Sequence, residues 1–180
     1  MAKVILGDII QLGSGAHGGT PLLWRDTEMF REITKNDKEL YLHYVDIFYH
    51  TDVVESPVPK ENYEAAFNEL MRSDDYLKCY IFECDNKPCG FALLSKTFSQ
   101  EAGGISVTIE EIYIDEEYRG RGLATEFFDY LKSIDEIKRL RIEVEDYNEG
   151  AKRLYERMGF KLLPYLQMVI DKWKEKEVNS

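Results

Sequence analysis

The stretch that decides the fold is IEEIYIDEEYRGRGLATEFF, Ile109–Phe128. It sets two adjacent carboxylates, Glu110 and Glu111, inside an apolar strand, then runs that strand into an arginine- and glycine-rich turn opening a helix. Side chains of a strand alternate between its two faces with a period of two. Ile105, Val107 and Ile109 take odd positions, whereas Ile112 and Ile114 take even ones. The apolar face therefore slips by one residue at Glu110–Glu111, as one inserted residue, a β-bulge, would make it do. A strand buried on both faces is the competing reading, because alternation means little there. Adjacent acids in a regular strand project to opposite faces, and a bulge can re-aim one of them.

The turn itself, RGRGLAT (Arg119–Thr125), stands at a strand-to-helix junction. Gly120 and Gly122 remove side chains where an anion would approach the backbone. The first free N–H groups of the helix, its dipole and Arg119 or Arg121 together suit a phosphate. Two familiar phosphate sites fit poorly. A P-loop needs Gly-x-x-x-x-Gly-Lys-Ser/Thr, and no lysine follows here. A dinucleotide fingerprint needs glycine or alanine where Thr125 stands, although Glu143 lies near the spacing of its ribose-binding acid.

Outward from this stretch the pattern alternates strand and helix. MFREIT (29–34) reads as a short strand, and NDKELYLHYVDIFYH as a helix with Leu40, Tyr44, Ile47 and Phe48 at helical spacing. SPVPKENYEAAFNELMRS follows as a second helix, with Pro59 in its first turn and Ala66, Phe67 and Leu70 as its stripe. YLKCYIFECDNKPCGFALLSKTF predicts a hairpin turning at DNKP. Leu123, Phe127, Leu131 and Ile134 share one helix face, and LRIEVE alternates as a strand. NEGAKRLYERMGF predicts a helix with Ala151, Leu154, Tyr155 and Met158 inward and Gly159 as its stop. PYLQMVIDK supplies a last strand. The fold class is α/β in the α+β sense: a mixed sheet flanked by helices.

Composition narrows the function. A chain of 180 residues suits one domain with a substantial core. Residues 1–28 read as a leader or extension of unknown role, since GSGAHGGTP packs four glycines into nine positions and Met29 follows as a plausible start. VILGDIIQL within it could pair as an edge strand with the domain or a neighbour. The domain proper is then 29–175. The start is a poor secretory signal, and no apolar run nears the ~20 residues of a membrane span, which makes the cytoplasm the expected compartment. A net charge of −11 argues against a duplex or membrane-surface binder and suits cationic partners, or simply solubility. Cys79, Cys84 and Cys89 form neither a CxxC pair nor an even set, and only three histidines are present, so a disulfide framework and a metal centre are not expected.

Two elements together resemble the GNAT superfamily of acyl-CoA-dependent N-acetyltransferases. The pattern Arg/Gln-x-x-Gly-x-Gly/Ala stands as Arg119-Gly120-Arg121-Gly122-Leu123-Ala124, and Asn-x-x-Ala-x-x-Leu-Tyr-x-x-x-Gly-Phe as Asn148, Ala151, Leu154, Tyr155, Gly159 and Phe160. The resemblance covers about 29–171. It implies a central, mostly antiparallel sheet with one parallel, splayed strand pair that admits acetyl-CoA. It further implies that the backbone of Ile112, Tyr113 and Ile114 pairs with the pantetheine amides. The amides of Gly120, Arg121, Gly122, Leu123, Ala124 and Thr125, with Arg119, would hold the pyrophosphate, and Asn148 would touch the cofactor. Tyr155 would sit near the sulfur as proton donor, although a helix aromatic is otherwise usually packing. Glu110 and Glu111 are the candidate bases, with Glu110 slightly ahead because diamine acetyltransferases, a related branch, carry a functional glutamate there. Glu143 and Glu145 could add negative potential. Tyr41, His43, Tyr44, Tyr49 and His50, with the TDVVESPVP loop, would border the acceptor.

The expected activity is transfer of acetyl from acetyl-CoA to a primary amine, on a small cationic metabolite or a protein, without a covalent enzyme intermediate or metal. The backbone amide at the bulge would donate to the thioester oxygen. A non-catalytic acyl-CoA-binding module is the rival reading, and a homodimer is what analogy with small relatives implies.

Overall fold

In the computed structural model, which describes residues 3–5, 29–50 and 58–172, the slipped alternation of the opening stretch is a real irregularity of the sheet. The strands are β1 (Lys3–Ile5), β2 (Phe30–Glu32), β3 (Leu77–Cys84), β4 (Lys87–Ser99), β5 (Gly104–Ile114) and β6 (Ile137–Ile142). The helices are α1 (Lys38–Tyr49), α2 (Lys60–Arg72), α3 (Leu123–Ser133) and α4 (Glu149–Arg157). β2, β3, β4 and β5 form an antiparallel series. The far edge of β5 is shared: β6 runs parallel to Ile105–Ile109, and β1 runs parallel to Glu111–Tyr113. One edge therefore changes partner at Glu110.

The two faces of the sheet are covered by different helix pairs. Val107, Ile109, Ile112 and Ile114 of β5 pack with Leu123, Phe127, Phe128 and Leu131 of α3 and with Ala151, Leu154 and Tyr155 of α4. On the other face Ile81, Phe91, Leu93 and Tyr113 meet Tyr41, Tyr44, Val45 and Phe48 of α1 and Tyr63 and Phe67 of α2. The α1 residues follow the 3–4 spacing of a single helix face. Cutting a fully buried ring such as Phe127 back to alanine would cost about 3–5 kcal/mol.

Local chemistry fixes the ends of these elements. The hairpin between β3 and β4 turns on Asp85 and Asn86, at φ +54° and +60°, the paired left-handed conformation that matches strand twist. The turn is thus two residues shorter than DNKP, and Lys87 and Pro88 already belong to β4. Gly90 lets β4 and β5 approach closely, since a Cβ there would lie 2.2 Å from the Tyr113 carbonyl oxygen. Arg31 of β2 holds the start of α1: its guanidinium donates to both oxygens of Asp37, at 2.9 and 2.8 Å, and to Glu83 at 2.7 Å.

Two strand expectations need correction. β6 spans Ile137–Ile142 rather than LRIEVE, so Glu143 and Glu145 lie beyond the ladder. PYLQMVIDK forms no strand: Leu166, Met168 and Ile170 are exposed, and no ladder hydrogen bonds hold the segment to β6. Alternation records which residues could face a core; it does not supply the neighbouring strand that makes a ladder.

Candidate active site

The bulge builds the centre of the site. Leu93 of β4 is opposite Glu111 and Leu94 is opposite Ile109, which leaves Glu110 as the extra residue. Ile109 and Ile112 keep to the α3/α4 face, so both intervening acids are displaced toward α1 and α2. Glu110 accepts a hydrogen bond from Ser95 Oγ, and Ser95 follows Leu93 on that same face of β4. Glu111 accepts a 2.6 Å hydrogen bond from Tyr49 Oη, at the last residue of α1. The strand therefore presents two adjacent carboxylates to one side.

Their environments differ. Glu111 is 6% exposed, and its Oε2 is buried with no hydrogen-bond partner among the described residues. Burial pushes its carboxyl up to about 7; the Tyr49 hydroxyl opposes that shift and the charge of Glu110 adds to it. A carboxyl poised near neutrality can take a proton at the working pH of most enzymes.

Tyr155 reaches the split from the opposite face. It packs edge-on against Phe128 and Phe160, at centroid distances of 5.9 Å each. Its hydroxyl is buried and has no hydrogen-bond partner among the described residues, and burial raises its pKa, so it stays protonated. An open cleft of about 1220 Å³ joins the two sides, lined by Ser95, Thr108 and Glu110 and by Tyr155, Met158 and Phe160.

The turn after β5 is a cradle of backbone donors. Gly120 and Gly122 have φ of +74° and +91°, conformations that favour glycine, and open space lies where a Cβ would project from either. Gly122 is the N-cap of α3, and no side chain caps that end, so its first N–H groups lack intrahelical partners. Arg119 is tied back by its Nε to the Ile114 carbonyl at 2.8 Å. Arg121 donates to the Glu117 carbonyl at 3.1 Å and lies 4.9 Å over the Tyr118 ring. Both guanidiniums keep further donors for an anion. Such a set fits a diphosphate. Leu123 and Ala124 turn their side chains into the core, which leaves only their backbone for a ligand.

Other residues singled out in the sequence have structural partners or lie on the surface. The Oδ1 of Asn148 accepts from Ala151 N–H at 3.0 Å and caps α4. Tyr41 and Tyr44 are core residues, and Tyr44 also donates to Asp115 at 3.2 Å. His43 and His50 lie at the outer side of α1. Residues 51–57 of the TDVVESPVP loop lie outside the described residues. Tyr49 emerges as a partner of Glu111, where the sequence placed it only on a rim; its position at the end of a helix was the one available signal. No group of three or more acids, histidines or cysteines suited to a metal occurs among the described residues. None of their helices is long and apolar enough to cross a membrane.

Comparison with known proteins agrees with this geometry. The family model of the acetyltransferase (GNAT) family matches residues 35–160, and the chain belongs to that family. Its fold is similar to that of a possible acetyltransferase from Clostridium difficile 630, with a TM-score of 0.66 at 20% identity, covering 79% of this chain and 95% of that one. AAC(6′)-Iy in complex with the bisubstrate analogue CoA-S-monomethyl-acetylneamine gives a TM-score of 0.65 at 16% identity, covering 79% and 97%. Ribosomal-protein-alanine N-acetyltransferase from Brucella melitensis biovar Abortus 2308 gives 0.61 at 17%, covering 79% and 98%. A search of curated proteins brings no match.

Proposed function

We propose that this chain is a cytoplasmic N-acetyltransferase whose 29–175 domain moves the acetyl group of acetyl-CoA to a primary amine by direct attack. The observation that carries the reading is the Glu111 carboxyl, buried and held by Tyr49 where β5 changes partner, its proton affinity pushed up by that burial to about 7. A CoA-containing analogue in a protein of the same fold supports the choice of cosubstrate.

Acetyl-CoA supplies the activated acyl group. The backbone of Ile112–Ile114 offers its pantetheine arm a strand edge, and the N–H groups of Gly120–Thr125, with Arg119 and Arg121, hold its diphosphate. Asn148, at the head of α4, borders the arm. Lys3–Ile5 lie along Glu111–Tyr113 of that same edge, so the cosubstrate enters by displacing β1.

Glu111 removes a proton from the acceptor ammonium and frees its lone pair. Glu110, held by Ser95, keeps negative charge beside it and favours a cationic acceptor. A backbone N–H at the bulge steadies the carbonyl oxygen as charge develops there. Tyr155 acts from the other side of the split and donates its proton to the departing thiolate. Base and acid thus serve opposite ends of the transfer. The buried thiols of Cys79 and Cys89 are pushed well up by burial, Cys89 to about 12, so neither supplies a thiolate for a covalent intermediate.

The test is release of free CoA with a panel of amines, for the wild type and Tyr155→Phe. The variant is expected to lose about 10²-fold in kcat while its affinity for acetyl-CoA stays within about twofold. Equal turnover would remove Tyr155 from the chemistry. Tight acetyl-CoA binding with no release above hydrolysis for any amine would instead identify a binding module.

A further inference from the structure

The cluster beneath the α1–α2 helices contains more acid than the transfer reaction requires. We propose that the acceptor subsite lies on the Tyr49–Tyr63 ring pair between the carboxylates of Glu111 and Asp46, and that it selects amines carrying a second positive charge. This deepens the acetyltransfer reading and rests on it.

Glu111 supplies one end. Tyr49 occupies its Oε1 at 2.6 Å, whereas Oε2 is buried without a hydrogen-bond partner among the described residues, on a residue that is 6% exposed. An oxygen removed from water calls for a donor, and an ammonium brings three. Tyr63 of α2 stacks on Tyr49 with centroids 5.2 Å apart and planes 23° from parallel. The pair makes a firm wall for a methylene chain or a cation.

Asp46 supplies the other end. It precedes Tyr49 by three residues on α1, which sets the two side chains next to each other on one helix face. The Asp46 side chain is 45% exposed, its Oδ1 has no hydrogen-bond partner among the described residues, and the His50 imidazole lies 3.6 Å away. The Tyr63 hydroxyl lies in the field of both acids: burial raises its pKa first, then Asp46, then Glu111. Negative potential is reinforced by Glu110 and by the C-terminal end of α1, whose last turn holds no basic residue. Among the described residues no lysine or arginine forms an ion pair with Asp46, Glu110 or Glu111. A monoamine engages one of the two carboxylates, whereas a diamine spans both.

Calorimetric titration of the full chain with butylamine, 1,3-diaminopropane, 1,4-diaminobutane and 1,5-diaminopentane tests this. At least one diamine is expected to bind about tenfold more tightly than butylamine, and Asp46→Asn is expected to shrink that ratio to about twofold. A ratio is insensitive to a general loss of folded protein. Equal affinities for butylamine and every diamine, or a ratio unmoved by Asp46→Asn, would overturn the proposal. CoA release with the same amines separates it from the reading beneath it. Selective diamine binding without CoA release would leave the subsite standing and remove the transfer reaction; CoA release without diamine preference would do the reverse.

Discussion

Replacing Glu111 with glutamine should make the protein more stable and less active, by amounts that depend on pH. The carboxyl titrates near 7 in the fold against an ordinary value of 4.5. An acid raised in this way keeps its proton in the folded state after the unfolded chain has lost it. Stability is therefore fully present below about 4.5 and falls as pH rises through 7. At about 1.4 kcal/mol per pH unit, ionisation costs the wild type about 3 kcal/mol by pH 8. Glutamine keeps the shape, stays neutral, and still accepts from the Tyr49 hydroxyl. The stability gain of Glu111→Gln should be near zero at pH 4 and climb to about 3 kcal/mol at pH 8, while CoA release falls by about 10² or more. Urea unfolding followed by circular dichroism at four pH values measures the first quantity. If the gain stays flat from pH 4 to 8, Glu111 ionises like a surface acid and the case for it as a tuned base is lost. Inactivity in a more stable protein, by contrast, cannot be assigned to unfolding.

Two further substitutions probe other parts of the frame. Val4→Pro removes a backbone donor from β1, beside Ile112, and should tighten acetyl-CoA binding several-fold by calorimetry; unchanged or weaker binding would show that β1 does not compete for the edge. Asp37 is held at about 2 by its hydrogen bonds with Arg31 and then with Thr34, against burial, so its stabilisation is present above about 3.8 and is lost as pH falls through 2. Asp37→Asn should cost about 1–2 kcal/mol in urea unfolding at pH 7, allowing for the part-exposed Arg31, and much less at pH 2; a pH-independent cost would remove the ion pair as its cause.

How much of this could be read beforehand depends on the range of the interaction. The bulge was legible, because Ile109 and Ile112 cannot share a face at an odd spacing unless a residue is inserted between them. The glycine cradle was legible too, since left-handed backbone at Gly120 and Gly122 leaves few choices of residue. That both glutamates face α1 and α2 was not, because alternation tells where regular strands aim, and the bulge suspends that rule. The slight preference for Glu110 over Glu111 rests on analogy; the burial of Glu111 and the reach of Tyr49 to it across 62 positions of sequence come from tertiary packing that no local pattern shows. Arg31 with Asp37 and Glu83 was missed for the same reason, as no local pattern links β2 to β3.

One irregularity thus has several consequences for the chemistry. By ending the β6 pairing at Ile109 it frees the main chain of the next residues for another strand-like partner. By turning two acids to one face it concentrates negative charge on the side where an amine would arrive. Because Ile112 and Ile114 resume the opposite face, α4 can still pack there and bring Tyr155 to the split from behind. A regular β5 would have sent the two acids to opposite faces, one of them among the apolar side chains of α3 and α4; the burial that chiefly raises the proton affinity of Glu111 would then act without the smaller contribution of Glu110 beside it. Inserting a single residue therefore turns both carboxylates toward α1 and α2 while Tyr155 packs on the α3/α4 face, so the proposed base and the proposed acid come from opposite faces of one strand.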